Sequence, residues 1–348
     1  MNINAYLYLI RGEEYKFPYE ESIKSILPFC NKVHVLTDPR FSDTDTVVSK
    51  LERLSSEVII HQEEFDLDDP GLDGKSKAKV RYYASQDGCD WLYQTDADEI
   101  FRKEDIKKID NVLCSTEDDI ISCGVLNWFN GDNIKIDAPW TKERFSRNKK
   151  YITHGIPVQF RQEREDGLYY VASHAQTDGA GYIDMGGNSL AGNITTFIDK
   201  HNLIDVEKGH KYYINKMFYD SLKKDIWVHH YSWYALPLRW LREATWQYFW
   251  GILRGDYVSL EDFENQDGKK IDFFSISALR TSQSYLDAIG DEMRKNSKGL
   301  FQFKLVKHPA IVTEWLSFAK TYIYGTTQKR LLRKWTSILP NRHTVIFE

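Results

Sequence analysis

The chain opens with short apolar runs that alternate with amphipathic ones, and this alternation constrains its fold more than any other feature. Ala5–Ile10 reads as a strand, with Arg11–Tyr15 as the loop after it. Tyr19–Phe29 carries Ile23, Ile26 and Leu27 at helical spacing, ended by Pro28. Lys32–Thr37 is a second strand running into Asp38-Pro39, Thr46–Leu54 a second helix, and Glu57–His61 a third strand. An acidic, turn-rich loop over Glu63–Gly74 precedes a helix over Lys75–Gln86 and a strand over Trp91–Thr95. Strands alternating with helices imply a mostly parallel α/β sheet covered on both faces. Ligands of such sheets sit beyond the carboxyl ends of the strands, which places Arg11, Asp38 and the residues after Thr95 along one edge.

Further along, Ile120–Val125 reads as another strand, and Pro157–Ala172 as a hairpin turning at Asp166-Gly167. From about residue 230 the pattern is mainly helical, with a polar, acidic connector at Tyr257–Lys270. The expected division is a nucleotide-binding α/β domain over 1–230 and a mostly helical region over 231–348 that completes or covers the cleft.

Hydrophobic residues at 42% and charged residues at 28% are the balance of a folded chain rather than a disordered one. A net charge of -5 argues against a general nucleic-acid binder. Cys30, Cys89, Cys114 and Cys123 are scattered without a CxxC pair, as buried thiols of a reducing compartment would be. The apolar run near the N-terminus is too short for a spanning helix and lacks a signal-peptide layout, so the expectation is a cytoplasmic protein. The stretch TTQKRLLRKWTSIL is basic and amphipathic; it suits docking on the domain or a peripheral contact with an anionic membrane.

The chemistry concentrates at Asp96-Ala97-Asp98-Glu99, where an apolar strand runs straight into three carboxylates. Such crowding is costly unless a cation is present, and oxygen ligands suit Mg²⁺ or Mn²⁺. In an extended segment Asp96 and Asp98, two residues apart, point to the same side. A bare DxD is often only an acidic turn; the strand before it and the α/β run upstream favour the metal reading.

These blocks resemble GT-A fold glycosyltransferases of the family-2-like kind. The resemblance is carried by LYLIRGEEYKFPYEESIKSILPFCNKVHVLTD and KSKAKVRYYASQDGCDWLYQTDADEI, and more weakly by VHHYSWYALPLRW and LVKHPAIV. It implies a GT-A domain binding a UDP- or GDP-linked sugar and transferring that sugar, with inversion, to a saccharide or other hydroxyl acceptor. By resemblance, Asp96 would contact the ribose or the cation, and Asp98 would ligate the cation. Asp38 matches the position that holds the base or ribose, and Arg11 lies at the matching edge. Lys77 and Arg81, four apart on one helix face, can neutralise phosphate, although an exposed face is their bland reading. GT-A enzymes often add a late histidine to the metal; of His229 and His230, pointing opposite ways on a strand, His230 is preferred.

An inverting transfer also needs a carboxylate base. The glycine-rich stretch SHAQTDGAGYIDMGGN reads as an active-site loop, with Asp178 as first choice and Asp184 behind it. His154 is a further polar residue nearby, and Trp233 or Tyr234 can line an acceptor cleft. Two rival readings stand beside this one. A nucleotidyltransferase would want a basic, glycine-rich loop where RGEEYKFPYE stands. A carbohydrate-binding or degenerate GT-A protein would need no base.

Overall fold

The computed structural model describes residues 1–69, 72–129, 141–154, 224–234, 258–265 and 307–321, together with short strands at 133–135, 169–170, 180–184, 204–208, 211–214, 300–302 and 343–346. The opening unit is β1 (Ile3–Tyr8), α1 (Tyr19–Ile26), β2 (Lys32–Thr37), α2 (Thr44–Leu54), β3 (Val58–Gln62), α3 (Leu72–Gln86) and β4 (Trp91–Gln94). The next elements are β5 (Glu99–Ile100), α4 (Ile106–Ser115), β6 (Ile120–Phe129), β7 (Asn133–Lys135), β8 (Thr141–Arg147) and β9 (Ile152–His154). They are followed by β10 (Tyr169–Tyr170), β11 (Ala180–Asp184), β12 (Ile204–Lys208), β13 (Lys211–Ile214) and β14 (Trp227–Trp233). A short helix α5 (Leu260–Glu264), β15 (Leu300–Gln302), α6 (Thr313–Thr321) and β16 (His343–Ile346) complete the described elements.

Strands β3-β2-β1-β4 pair in that order and all run parallel. Alternation along β1 divides the interior in two. Ile3, Ala5 and Leu7 pack with Ile23 and Ile26 of α1, Val47 and Leu51 of α2, and Ile109 and Leu113 of α4. Tyr6 packs on the opposite side with Leu72, Val80 and Ala84 of α3. Successive side chains of a strand face opposite ways, so these two cores lie on the two faces of one helix-covered sheet. The expected α/β sheet, parallel across β3-β2-β1-β4, is what the first part of the chain forms.

Beyond β4 the directions change. β8 runs antiparallel to both β4 and β6, and β14 lies parallel to β6 while pairing antiparallel with β5. β14 crosses residue 230, and β15 and β16 join the same sheet through β7 and β13. The C-terminal region therefore contributes strands to the main sheet as well as the helices expected of it. Of the hairpin expected at 157–172, only Tyr169–Tyr170 is described, and it pairs with Tyr182-bearing β11 through Ile183 and Asp184. β11 in turn pairs with β9, so these three form a small separate sheet.

The chain steps from β1 outward through β2 to β3, then returns to place β4 on the other side of β1. A crevice opens at such a reversal, beyond the carboxyl ends of β1 and β4. The loops after those two strands carry Arg11 and Asp96.

Candidate functional site

The carboxylate segment is a turn rather than a continuation of β4. The Glu99 N–H donates to the Asp96 carbonyl at 3.1 Å, and the Ser22 hydroxyl of α1 donates to the same carbonyl at 3.1 Å. The extended geometry expected for residues 96–98 is thus replaced by a tight reversal into β5. The two aspartates consequently have different neighbours.

Asp96 is surrounded by cations. Arg144 donates to its Oδ2 at 2.7 Å and Lys142 at 3.2 Å, while Gln94 donates to Oδ1 at 3.0 Å and the Lys77 ammonium lies 3.7 Å away. Arg144 also bonds Glu99, with both side chains fully buried, and Lys142 reaches Glu99 at 3.3 Å. Lys142 and Arg144 are two apart on β8 and so share one face of that strand. Neither was singled out from the sequence; the basic residues at alternate positions 142 and 144 of Thr141–Arg147 are the signal that marks them.

Asp98 faces β14. His230 Nε2 stands 3.5 Å from Asp98 Oδ1, and the Tyr231 N–H donates to the Asp98 carbonyl at 2.9 Å. On its far side His230 Nδ1 lies 2.7 Å from Asn127 Oδ1 of β6. That contact turns the Nε2 edge of the ring toward the Asp98 carboxylate. His229 points the other way, is fully buried, and accepts from the Trp128 indole N–H at 3.0 Å. Burial pushes its pKa well below the ordinary value. Of the adjacent pair it is His230 that the fold brings to Asp98.

The remaining expected residues are placed as follows. Arg11 is buried, with φ of 53°, its guanidinium paired with Glu14 and lying 4.8 Å from the centre of the Phe41 ring. Asp38 is completely buried: Arg40 donates to it through its backbone N–H at 2.9 Å and through its guanidinium, and the Phe65 N–H donates at 2.9 Å. Lys77 and Arg81 are both buried, so the exposed-face reading of that helix is overturned. Lys77 turns toward Asp96 and Asp73, whereas Arg81 bonds the carbonyls of Ile152 and Arg147 and the Ser146 hydroxyl. Arg81 thus ties α3 to β8 and β9. His154 is buried at the end of β9, edge-on to Tyr6. Asp184 ends β11 in register with Tyr169, and Asp178 lies outside the described residues, as does the basic stretch 326–339.

An aromatic cluster packs on the His229 side of β14. His308 packs its ring 3.8 Å from that of Trp128 and pairs with the Tyr231 hydroxyl at 2.9 Å, with Tyr234 and Trp315 completing the cluster. Tyr234 is 1% exposed, so it serves as core beneath the site rather than as a cleft wall. The side chain of Trp233 is outside the described residues.

No family model matches the chain, and no curated protein matches it either. Among solved structures it is similar to S. aureus TarS, with 15% identity over 42% of this chain and a TM-score of 0.30; the chain covers 28% of the length of that protein. It is also similar to 4-diphosphocytidyl-2C-methyl-D-erythritol synthase from Anaerococcus prevotii, with 10% identity over 42% of this chain and 70% of that one, and a TM-score of 0.27. The inositol-1-phosphate CTP transferase from T. maritima gives 13% identity over 43% and 72% of the two chains, and a TM-score of 0.26. These likenesses are weak, and the fold assignment rests on the strand order and directions above.

Among the described residues no three His, Cys, Asp or Glu side chains converge as a ready-made metal cage. The donor set nonetheless fits a divalent cation. A carboxylate oxygen and an imidazole nitrogen face each other at 3.5 Å, two donor atoms that one cation can share. The imidazole is oriented by a hydrogen bond on its other nitrogen, as metal-bound histidines usually are. A pair of ligands also suits Mg²⁺ or Mn²⁺, which commonly complete their shells with phosphate and water. No described helix is long and apolar enough to cross a membrane.

Proposed function

We propose that this chain is a glycosyltransferase that moves a sugar from a nucleoside-diphosphate donor to a hydroxyl acceptor, with inversion. The observation that carries the reading is the meeting of Asp98 and His230 at the switch point of the sheet, with Asn127 fixing the histidine. Asp98, His230 and, once its ion pairs open, Asp96 would hold Mn²⁺ or Mg²⁺. When bound, the cation neutralises the charge that develops on the departing diphosphate.

The chain's own residues supply the rest. Lys77 and Lys142 line the Asp96 end, where phosphate oxygens would lie. The acceptor oxygen attacks the anomeric carbon as the bond from that carbon to the phosphate oxygen breaks, its electron pair leaving with the diphosphate. The hydroxyl proton passes to a carboxylate, for which Asp178 and then Asp184 are proposed. Arg11 and Asp38 at the strand ends would frame the nucleoside, Asp38 by tying the loop that carries Arg40 to the one that carries Phe65. We also propose that the basic stretch 326–339 makes peripheral contact with an anionic membrane.

The test is thermal stabilisation by a panel of nucleoside diphosphates, with and without Mn²⁺, on wild type and Asp98→Ala. A metal-dependent rise with one nucleotide, lost in the variant, identifies the donor. Incubation with that nucleotide-sugar then separates the reactions: release of nucleoside diphosphate marks sugar transfer, whereas formation of nucleoside triphosphate and sugar 1-phosphate on adding pyrophosphate would support a nucleotidyltransferase. No stabilisation by any nucleotide would sink the reading.

A further inference from the structure

The DxD carboxylate that should receive the cation is already neutralised by the protein. Lys77, Lys142 and Arg144 stand within hydrogen-bond or ion-pair reach of the Asp96, Glu99 and Asp73 carboxylates, and Asp98 lies in the same turn. The three cations differ in freedom. Arg144 is wholly buried and bridges Asp96 to the buried Glu99, so moving it would strand a charge in the interior. Lys77 is 4% exposed and shared with Asp73. Lys142 keeps 13% of its side chain exposed, and Asp96 keeps 22%, so this contact is the one that opens to solvent. An ammonium on a flexible stem can change partner without moving the backbone, which a guanidinium locked in two bonds cannot.

We infer that Lys142 is a donor-binding residue that occupies Asp96 until the cation arrives together with the diphosphate. This rests on the metal-dependent reading above and goes beyond it. A divalent cation entering alone would have to share Asp96 with three cationic side chains already within reach of it, in a partly desolvated place. A cation bringing a diphosphate also brings anionic oxygens, to which the Lys142 amine is released from Asp96. The site therefore binds metal and nucleotide as a unit, and empty protein takes up little of either.

The experiment measures Mn²⁺ affinity directly, by the electron paramagnetic resonance signal of free Mn²⁺, without turnover. It uses full-length wild type, Lys142→Met, Lys142→Arg, and Lys142→Met combined with Asp96→Asn, each checked for folding by thermal melting; Lys142→Gln replaces the methionine variant if that one does not fold. Without nucleotide, Lys142→Met should bind Mn²⁺ at least tenfold more tightly than wild type, and Lys142→Arg should not. The gain should vanish when Asp96→Asn is added, because it comes through that carboxylate. UDP or GDP should tighten Mn²⁺ binding at least tenfold in wild type and by less in Lys142→Met.

Equal Mn²⁺ affinity of wild type and Lys142→Met overturns the inference, whatever nucleotide does. So does a gain that survives Asp96→Asn, since that is only the loss of a nearby positive charge. If Lys142→Met gains affinity through Asp96 yet no nucleoside diphosphate affects any form, the occupancy of Asp96 stands. In that case the donor-binding role and the proposed function both fall.

Discussion

Glu99 and His230 are register partners across the antiparallel pairing of β5 and β14. The turn bearing the aspartates and the strand bearing the histidine are therefore fixed to each other by backbone. Preorganisation of this kind lets a ligand bind without first ordering its own site.

The orienting bond behind His230 should be measurable by itself. Asn127→Leu removes the partner of Nδ1 while leaving Asp98 and His230 in place. Loss of such an outer contact typically weakens metal affinity about 10–100-fold. Mn²⁺ titration in the presence of the stabilising nucleotide checks this, and an unchanged affinity would mean that His230 is not a ligand.

Arg144→Met should be among the most destabilising single changes in the sheet. It takes the guanidinium from Glu99, which is fully buried and keeps the Lys142 ammonium at 3.3 Å. Breaking a buried ion pair from one side typically costs about 3–5 kcal/mol. Urea unfolding should show that loss, and adding Glu99→Gln should recover part of it.

Gly124 sits on β6 opposite Trp227 of β14, and a Cβ there would fall inside the indole. Gly124→Ala must push the strands apart at the joint that carries Asn127 and His230. Overpacking of this sort costs about 1–3 kcal/mol, readable as a lower urea midpoint. The same shift should weaken Mn²⁺ binding, although the residue touches no ligand.

Away from the site, His34 Nδ1 lies 3.1 Å from His61 Nε2, His34 Nε2 lies 3.3 Å from Asp87, and the His61 ring stacks on Tyr83. Burial pushes the His34 pKa down from 6.5 to about 4, with His61 and Lys32 adding to the effect and Asp87 opposing it. Between those values the unfolded chain binds a proton that the folded protein refuses, so stability falls as pH drops from about 6.5 toward 4. His34→Gln should flatten that dependence, by something on the order of 1–2 kcal/mol at the acid end. Urea midpoints compared at neutral pH and near pH 4 test it; parallel curves for the two proteins would exclude His34 as the cause.

The strand-helix alternation made the parallel half of the sheet legible because each element obeys a local period. Lys32–Thr37 is bounded by the same residues in sequence and structure, and α1, α2 and α3 shift by only a few residues at their ends. The turn at Asp96–Glu99 was not legible as a turn, since the bonds that make it come from Ser22 and from the segment's own backbone. Lys142 and Arg144 escaped notice because their role depends on β8 lying beside β4, a pairing between residues about fifty apart that no local period announces. His230 was separable from His229 by strand alternation, but only the pairing of β14 with β5 and β6 says which of them meets Asp98. The burial of Lys77 and Arg81 was hidden for a related reason: partners of these charges lie in the turn after β4 and on β8 and β9.

The parallel pairing of β14 with β6 has a consequence for how the protein is made. Trp227 meets Gly124 only after more than a hundred intervening residues have been synthesised. Loops of that span close late, and non-local strand pairs slow folding. Until then β6 offers an unpaired edge containing Val125, Leu126 and Trp128, the kind of edge that recruits other chains. Premature termination before residue 227 should therefore yield aggregates rather than a smaller soluble domain, and the histidine strand acts as the seal on the sheet.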